Sequence, residues 1–407
     1  MTEASLCLTE YGPWTAAQLT PATGQALAAS GVVDARPDTD APGDPTRWQV
    51  RALNNVGVAR IRDVELRIAP KLPIRRLFFL LGYTANPYGV KRPDDGEVQV
   101  AEGTDLLPAV AHAFERQADR AIRQGMLQGY RHTEESTPTV RGRIREPEQL
   151  RRRFGLALPV EVAYDEYTAD IAENQLLLAA ALRLLRLPGV HADVRRRLIA
   201  LRARLGEVKA LTPGHPLPRW RPSRLNARHH AALRLAELIL NSGSVEHQQG
   251  TARIDGFLFD MNKVFEDFVC VALSETLRHR GGRTELQARG IHLDEAETIR
   301  IKPDFVWYDD SDRPLAVVDA KYKAERPGGF PDADLYQLLA YCTALHLPAG
   351  YLIYAKGNAP HAAHRIRNAG IRIHQHALDL DQPPTALLAD LASIAAVLGD
   401  SVPAADF

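Results

Sequence analysis

Nothing in the sequence reads as a membrane span, a secretory leader, a disulfide framework or a phosphate-binding loop. The longest unbroken apolar runs, such as LFFLL at 77–81, are far shorter than the ~20 residues a helix needs to cross a bilayer. The opening MTEASLCLTEYG has no basic stretch followed by an apolar one, the pattern of a cleaved leader. Only three cysteines occur, Cys7, Cys270 and Cys342. An odd number so widely spaced suits neither paired disulfides nor a zinc module, so the expected compartment is the reducing cytoplasm. Neither G-x-x-x-x-G-K-[ST] nor G-x-G-x-x-G appears, which excludes the usual nucleotide-binding signatures. Net positive charge is absent too, because Lys+Arg and Asp+Glu are both 50. A protein gripping DNA by electrostatics alone is usually clearly basic, so a DNA substrate would need local arginine patches or a partner. Lysine is scarce, at positions 71, 91, 209, 263, 302, 321, 323 and 356 only, and this makes the group at 302, 321 and 323 conspicuous.

What is present is an ordinary globular composition of 407 residues, long enough for two or three domains. The fold class expected is a multidomain α+β / α/β protein in three parts. Residues 1–100 form a small β-rich domain, in which WQVRALNNVGVARIRDVELRIAPKLP gives three alternating runs of a meander. IRRLFFLLGY at 74–83 packs on it as a short helix. Residues 101–250 are mainly helical, with helices near 104–126, 169–187, 190–206 and 224–241. A β-hairpin or paired extended strands are expected at 129–144. Residues 251–407 form an α/β domain with a mixed sheet. It comprises a helix at 261–280, strands near 299–308 and 314–322, a helix at 332–346, strands at 350–356 and 371–378, and a final helix at 385–398.

The stretch IKPDFVWYDDSDRPLAVVDAKYK, 301–323, is the most informative. Aspartate is a poor strand residue, and a buried carboxylate is costly unless something neutralises it. With a turn at DSDR, 310–313, paired positions sum to 623. Tyr308 then faces Leu315, Val306 faces Val317, and Asp304 lies opposite Asp319. Opposed residues share a face at ~4.5–5.5 Å, and Lys321, two residues past Asp319, projects from that same face. A one-residue slip would separate the two carboxylates. Two close carboxylates repel unless a cation joins them. Mg²⁺ or Mn²⁺, completed by waters and a phosphate oxygen, would resolve that conflict. Lys321 would then orient water or stabilise a phosphate in transition. One Asp-x-Lys alone is usually a surface ion pair; matched carboxylates within apolar strands weaken that reading.

Other positions bear on the same chemistry. Glu266 lies beside the apolar stripe of the 261–280 helix, where an ordinary flanking glutamate is an equal reading. Gln337 and Tyr341 are four apart, on one helix face just after the Lys321 strand. The histidines at 229–230, 361–364 and 374–376 have no cysteine or carboxylate cluster at zinc spacing. In TVRGRI, Arg141 and Arg143 share a strand face, and Gly142 between them allows close backbone approach. Nucleic-acid contact, partner contact and fold support are the readings of that segment.

KPD…VVDAKYK followed by YQLLAY resembles the PD-(D/E)xK nuclease superfamily in its Q-x-x-x-Y-bearing branch. Upstream, VGVARIRDVELRIAPKLP, TVRGRI, ENQLLLAAAL and MNKVFEDFV occur in the order seen in McrC proteins, so the resemblance spans roughly 48–356. McrC is the nuclease subunit of McrBC modification-dependent restriction systems. The resemblance implies a PD-(D/E)xK core, a McrB-like AAA+ GTPase ring as partner, and double-stranded DNA, methylated and recognised by that partner, as substrate. It implies that the N-terminal part docks on the ring and that the C-terminal domain cuts. Carried over residue by residue, it makes Asp304 and Asp319 metal ligands for Mg²⁺ or Mn²⁺, Lys321 the catalytic lysine, and Glu266 and Gln337 supporting catalytic positions. The second acid is Asp rather than Glu, which the pattern permits. A non-cutting adaptor that activates a motor, and a stand-alone RecB-like repair nuclease, are the competing readings. The intact Asp304, Asp319 and Lys321 argue against the first, and residues 48–145 are unexplained by the second.

Overall fold

The computed structural model describes residues 4–39, 44–84, 106–154, 156–212, 214–242, 254–324, 332–356 and 362–400. The chain opens with β1 (Ala4–Thr9), β2 (Thr15–Gln18), α1 (Pro21–Ala28), β3 (Val33–Pro37), β4 (Arg47–Ala52), β5 (Asn55–Ile61), β6 (Val64–Ala69) and α2 (Ile74–Thr84). Next come α3 (Leu106–Ile122), β7 (Gly129–Thr137), β8 (Arg143–Ile144), α4 (Glu146–Arg153), β9 (Val160–Thr168), α5 (Ala172–Arg186), α6 (Ala192–Arg204) and α7 (His230–Asn241). The last part begins with β10 (Ile254–Asp260), α8 (Met261–Leu277), β11 (Arg283–Leu286), β12 (Ile291–His292), β13 (Arg300–Ile301) and β14 (Phe305–Tyr308). It ends with β15 (Pro314–Ala324), α9 (Asp332–Ala344), β16 (Ala349–Lys356), β17 (Ala362–Arg365), β18 (Arg372–Ala377) and α10 (Pro384–Asp400). Among the described residues, no helix is long and apolar enough to cross a membrane.

These elements form two compact units where three domains were expected: residues 1–104 join 244–407, and 105–243 stand as the second. The reason is β10, which pairs antiparallel with β5 along its whole length, from Ile254↔Ile61 to Asp260↔Asn55. Gly57 makes this approach possible. It has φ +127°, and a Cβ there would lie 2.0 Å from the Phe257 carbonyl oxygen. The expected meander is also divided. β5 and β6 belong to a sheet ordered β1-β6-β5-β10, whereas β4 sits in a separate sheet ordered β2-β4-β3. Alternating side chains of both sheets meet in one core that includes Leu8, Trp48, Val50, Ile61, Leu66, Ile68 and Leu258.

β10 runs directly into α8. The Asp260 side chain caps that helix, accepting from the Asn262 amide at 2.9 Å, which satisfies one of the free donors of a first helical turn. Met261, Val264, Phe265, Phe268, Val269, Ala272 and Leu273 are buried, the stripe that the periodicity predicts. α8 lies on a six-stranded mixed sheet ordered β11-β14-β15-β16-β18-β17, in which β15, β16 and β18 run parallel. From α9, Leu338, Tyr341 and Cys342 pack against Val306, Val317, Leu352 and Ile373 of that sheet.

In the unit formed by 105–243, the expected hairpin at 129–144 gives way to a three-stranded sheet ordered β7-β9-β8. β9 lies between the other two, so β7 and β8 pair with it and not with each other. The helices of this unit bury Phe114, Leu177, Leu184, Leu201 and Leu233.

Candidate metal and phosphate site

The hairpin register follows the expected sum: Phe305↔Val318, Val306↔Val317 and Trp307↔Ala316 pair as predicted. The turn end departs from it. A bulge places Tyr308 opposite Pro314 rather than Leu315, because Asp309 organises the turn by accepting from the Ser311 and Arg313 amides. Asp304 lies one residue before β14 instead of inside it. Its main chain is nonetheless fixed: the Gln287 amide donates to its carbonyl at 2.7 Å, and the Ala288 amide donates to that of Pro303 at 3.0 Å.

Asp319 is the electrostatic centre. It is fully buried, on the sheet face that Val317 shares and that α9 covers. Its Oδ1 has no hydrogen-bond donor, and its Oδ2 meets the Lys321 ammonium at 2.7 Å. Burial first, and the negative charge of Asp304 second, push the Asp319 carboxyl up to about 7, while Lys321 pulls the other way. Burial disfavours the Lys321 ammonium, but Asp319, Asp304 and Asp334 outweigh it and hold its pKa above the ordinary lysine value. The Asp304 carboxylate accepts from the Ala320 amide at 3.0 Å, which ties it to the strand that carries Asp319.

α8 brings Glu266 to the same place. Burial, then the charge of Asp304 and a hydrogen bond to it, push the Glu266 carboxyl up to about 7. Asp267 beside it is raised mainly by burial and pairs with Lys263 at 3.5 Å. Sequence reasoning passed over Asp267; adjacent acids on an otherwise apolar helix were the available signal. Gln337 is exposed and donates to Tyr341 Oη at 2.6 Å, and that hydroxyl donates to the Lys302 carbonyl at 3.2 Å. The Q-x-x-x-Y pair therefore braces the 302–304 segment that presents Asp304. Asp334 was also missed. It is buried in the first turn of α9, accepts from Tyr354 Oη at 3.4 Å, and adds to the negative field on Lys321.

Among the described residues, no group of three or more His, Cys, Asp or Glu side chains is placed so that it could hold a metal ion. As a pair, Asp304 and Asp319 still suit a hard divalent cation that takes its other ligands from water and phosphate. The buried Asp319 Oδ1 without a donor and the mutual repulsion of the carboxylates are what such a cation relieves, with waters and phosphate filling the remaining positions. Among the described residues, the histidines singled out in the sequence do not join this site. His229 is buried with both ring nitrogens unpartnered and driven down to about 4 mainly by burial, a neutral core histidine. His374 stacks on Tyr351, and His361 lies outside the described residues.

The Arg141–Arg143 segment is only partly strand, since β8 begins at Arg143. Gly142 has φ +68°, and a Cβ there would meet the Ala163 carbonyl oxygen and Tyr164 Cβ at 2.5 Å, so the expected close approach is real and β9 is what approaches. A cleft of about 390 Å³ in the 105–243 unit is lined by Arg131, Asp170, Glu173, Gln175 and Asn226 among others. Its polar groups bond one another, as Gln175 does Asp170 and Asn226 does Glu173, and it contains none of the carboxylates discussed above.

A family model described as McrBC 5-methylcytosine restriction system component matches residues 50–355. No curated protein matches the chain. Its fold is similar to a solved structure from Thermococcus gammatolerans, a refined half-complex of a tetradecameric assembly of McrB AAA+ hexamers with bound McrC. The TM-score is 0.58 at 18% identity, covering 96% of this chain and 99% of that one. A cryo-EM structure of the Thermococcus gammatolerans McrBC complex gives a TM-score of 0.40 at 20% identity, over 67% of this chain and 88% of that one.

Proposed function

The chain belongs to the family of McrBC 5-methylcytosine restriction system components, and from that premise we propose that it is the McrC-like subunit, a divalent-metal-dependent endonuclease that cuts double-stranded DNA. The observation that carries the reading is Asp319: a fully buried carboxylate paired with the Lys321 ammonium at 2.7 Å and repelled by Asp304. A fold seldom keeps such an arrangement for stability alone. Asp304 and Asp319 would hold Mg²⁺ or Mn²⁺, with Glu266 as a nearby third carboxylate. When bound, the ion supplies charge neutralisation at the scissile phosphate and acidifies water. Lys321 meets negative charge developing on the phosphate, and Gln337 with Tyr341 keeps the Asp304 segment in place.

The proposed partner is a McrB-like AAA+ GTPase ring in the cytoplasm. Fold likeness, over 96% of this chain, to a chain of the solved structure of McrB hexamers with bound McrC and the lack of a nucleotide-binding loop support it. Zero net charge suits a subunit to which the partner delivers DNA whose methylation the partner reads. The test combines the purified chain, its motor, methylated plasmid, GTP and Mg²⁺. Wild type is expected to cut, and Lys321→Ala to cut about 10²–10³-fold more slowly with GTP hydrolysis unchanged. Stimulated GTP hydrolysis without cutting by wild type would identify an adaptor. Full cutting without the motor would identify a stand-alone nuclease.

A further inference from the structure

Glu10 follows β1 directly, and its amide donates to the Ala69 carbonyl at 3.0 Å, so its backbone belongs to the N-terminal sheet. Its side chain is fully buried. Oε2 accepts from the Lys71 amide at 3.2 Å and, at 3.4 Å, from the hydroxyl of Tyr322, 312 residues further along. Oε1 has no partner. Burial pushes this carboxyl up to about 7, against the opposing pull of the Lys71 amide and the Tyr322 hydroxyl.

Tyr322 is the neighbour of Lys321 on β15 and projects from the opposite face of the sheet. There its ring packs 6.0 Å from that of Phe265, the residue preceding Glu266. The backbone ladder between β15 and β16 is regular from Val318↔Tyr351 to Lys321↔Tyr354 and then shifts before Ala324↔Lys356. Lys321 therefore occupies the last regular rung. Past Lys321 the ladder resumes at Ala324, and Tyr322 between them is held by its side-chain contacts with Glu10 and Phe265.

We propose that Glu10 is a positioning residue for the nuclease site, holding Tyr322 and through it the end of β15 that presents Lys321. This rests on the nuclease reading above. Glu10 touches none of the reacting groups. Its effect is to keep the ammonium aligned with the phosphate, a contribution made in the transition state and therefore expected in kcat rather than KM.

The experiment measures kcat and KM for DNA cleavage by the complete complex, alongside GTP hydrolysis, for Glu10→Ala, Glu10→Gln, Tyr322→Phe and the Glu10→Ala/Tyr322→Phe double variant. Glu10→Ala and Tyr322→Phe are each expected to lower kcat about 10-fold, the scale of one lost hydrogen bond, with KM and GTP hydrolysis unchanged. The double variant should lose no more than either single one, and Glu10→Gln, which keeps the acceptor, should recover to within about 3-fold of wild type. Wild-type kcat in Tyr322→Phe, losses that multiply in the double variant, or parallel loss of kcat and GTP hydrolysis would each overturn the proposal. Should Glu10→Ala fail to fold, Tyr322→Phe and Glu10→Gln decide the matter by the same criteria. If wild type itself does not cut, or Asp319→Asn cuts like wild type, the nuclease reading fails instead.

Discussion

Asp319→Asn keeps the outline of the side chain and removes its charge, so its effects on stability and on cleavage should run in opposite directions. In the fold, burial and Asp304 push the Asp319 carboxyl from 3.8 to about 7. The folded state binds this proton more tightly than the unfolded chain does. The stability it contributes is therefore complete below the unfolded value and is lost as pH rises through about 7. At about 1.4 kcal/mol per pH unit, ionised Asp319 costs the metal-free fold at most roughly 4 kcal/mol at pH 8. An asparagine amide would bury unpaired polar atoms of its own, so a gain of roughly 1–3 kcal/mol is expected. At about 2–4 °C per kcal/mol, Tm at pH 8 in EDTA should rise by several degrees over wild type. At pH 5, where the folded wild-type residue is protonated, the gap should shrink to less than half. Mg²⁺ should then raise the wild-type Tm and leave that of Asp319→Asn unmoved, since only a bound ion shifts the folding equilibrium. A variant less stable than wild type at pH 8, or a gap identical at both pH values, would refute the electrostatic account of this residue.

Tyr341→Phe removes the hydroxyl between Gln337 and the Lys302 carbonyl. It is expected to cost about 1 kcal/mol of stability and to slow cleavage several-fold, read by denaturant unfolding and by single-turnover kinetics. Gly142→Ala forces a Cβ to within 2.5 Å of the Ala163 carbonyl oxygen at φ +68°. Hydrogen exchange should show the 105–243 unit destabilised by about 1–3 kcal/mol, with protection around Asp319 unchanged.

The parts of this structure legible in the sequence are those fixed by local periodicity. Alternation in PLAVVDAKYK puts Asp319 and Lys321 on one face of β15, alternation in FVWY fits the register of its partner strand, and the 3.6-residue stripe of α8 marks its buried side. What escaped are pairings between distant segments. Nothing in IDGFLFD announces that it completes a sheet with β5, some 200 residues earlier, and this pairing unites the first and last parts of the chain. β9 was missed because VEVAYDEYT offers only weak alternation, although β7 and β8 both depend on it. The Glu10–Tyr322 contact is likewise visible only once two remote strands are placed together. One consequence is practical. A fragment ending near residue 245 would lack β10 and expose the edge of β5, so it is a poor vehicle for separating motor activation from cutting, and full-length point variants serve better.

The most direct test of a metal-dependent cutting site is plasmid cleavage in Mg²⁺ by the assembled complex carrying wild type, Asp304→Ala or Asp319→Ala, with GTP hydrolysis followed in the same tubes. Wild type is expected to cut, and both variants to hydrolyse GTP at the wild-type rate while leaving the DNA intact. Cutting by Asp319→Ala at the wild-type rate would contradict a metal site at these carboxylates.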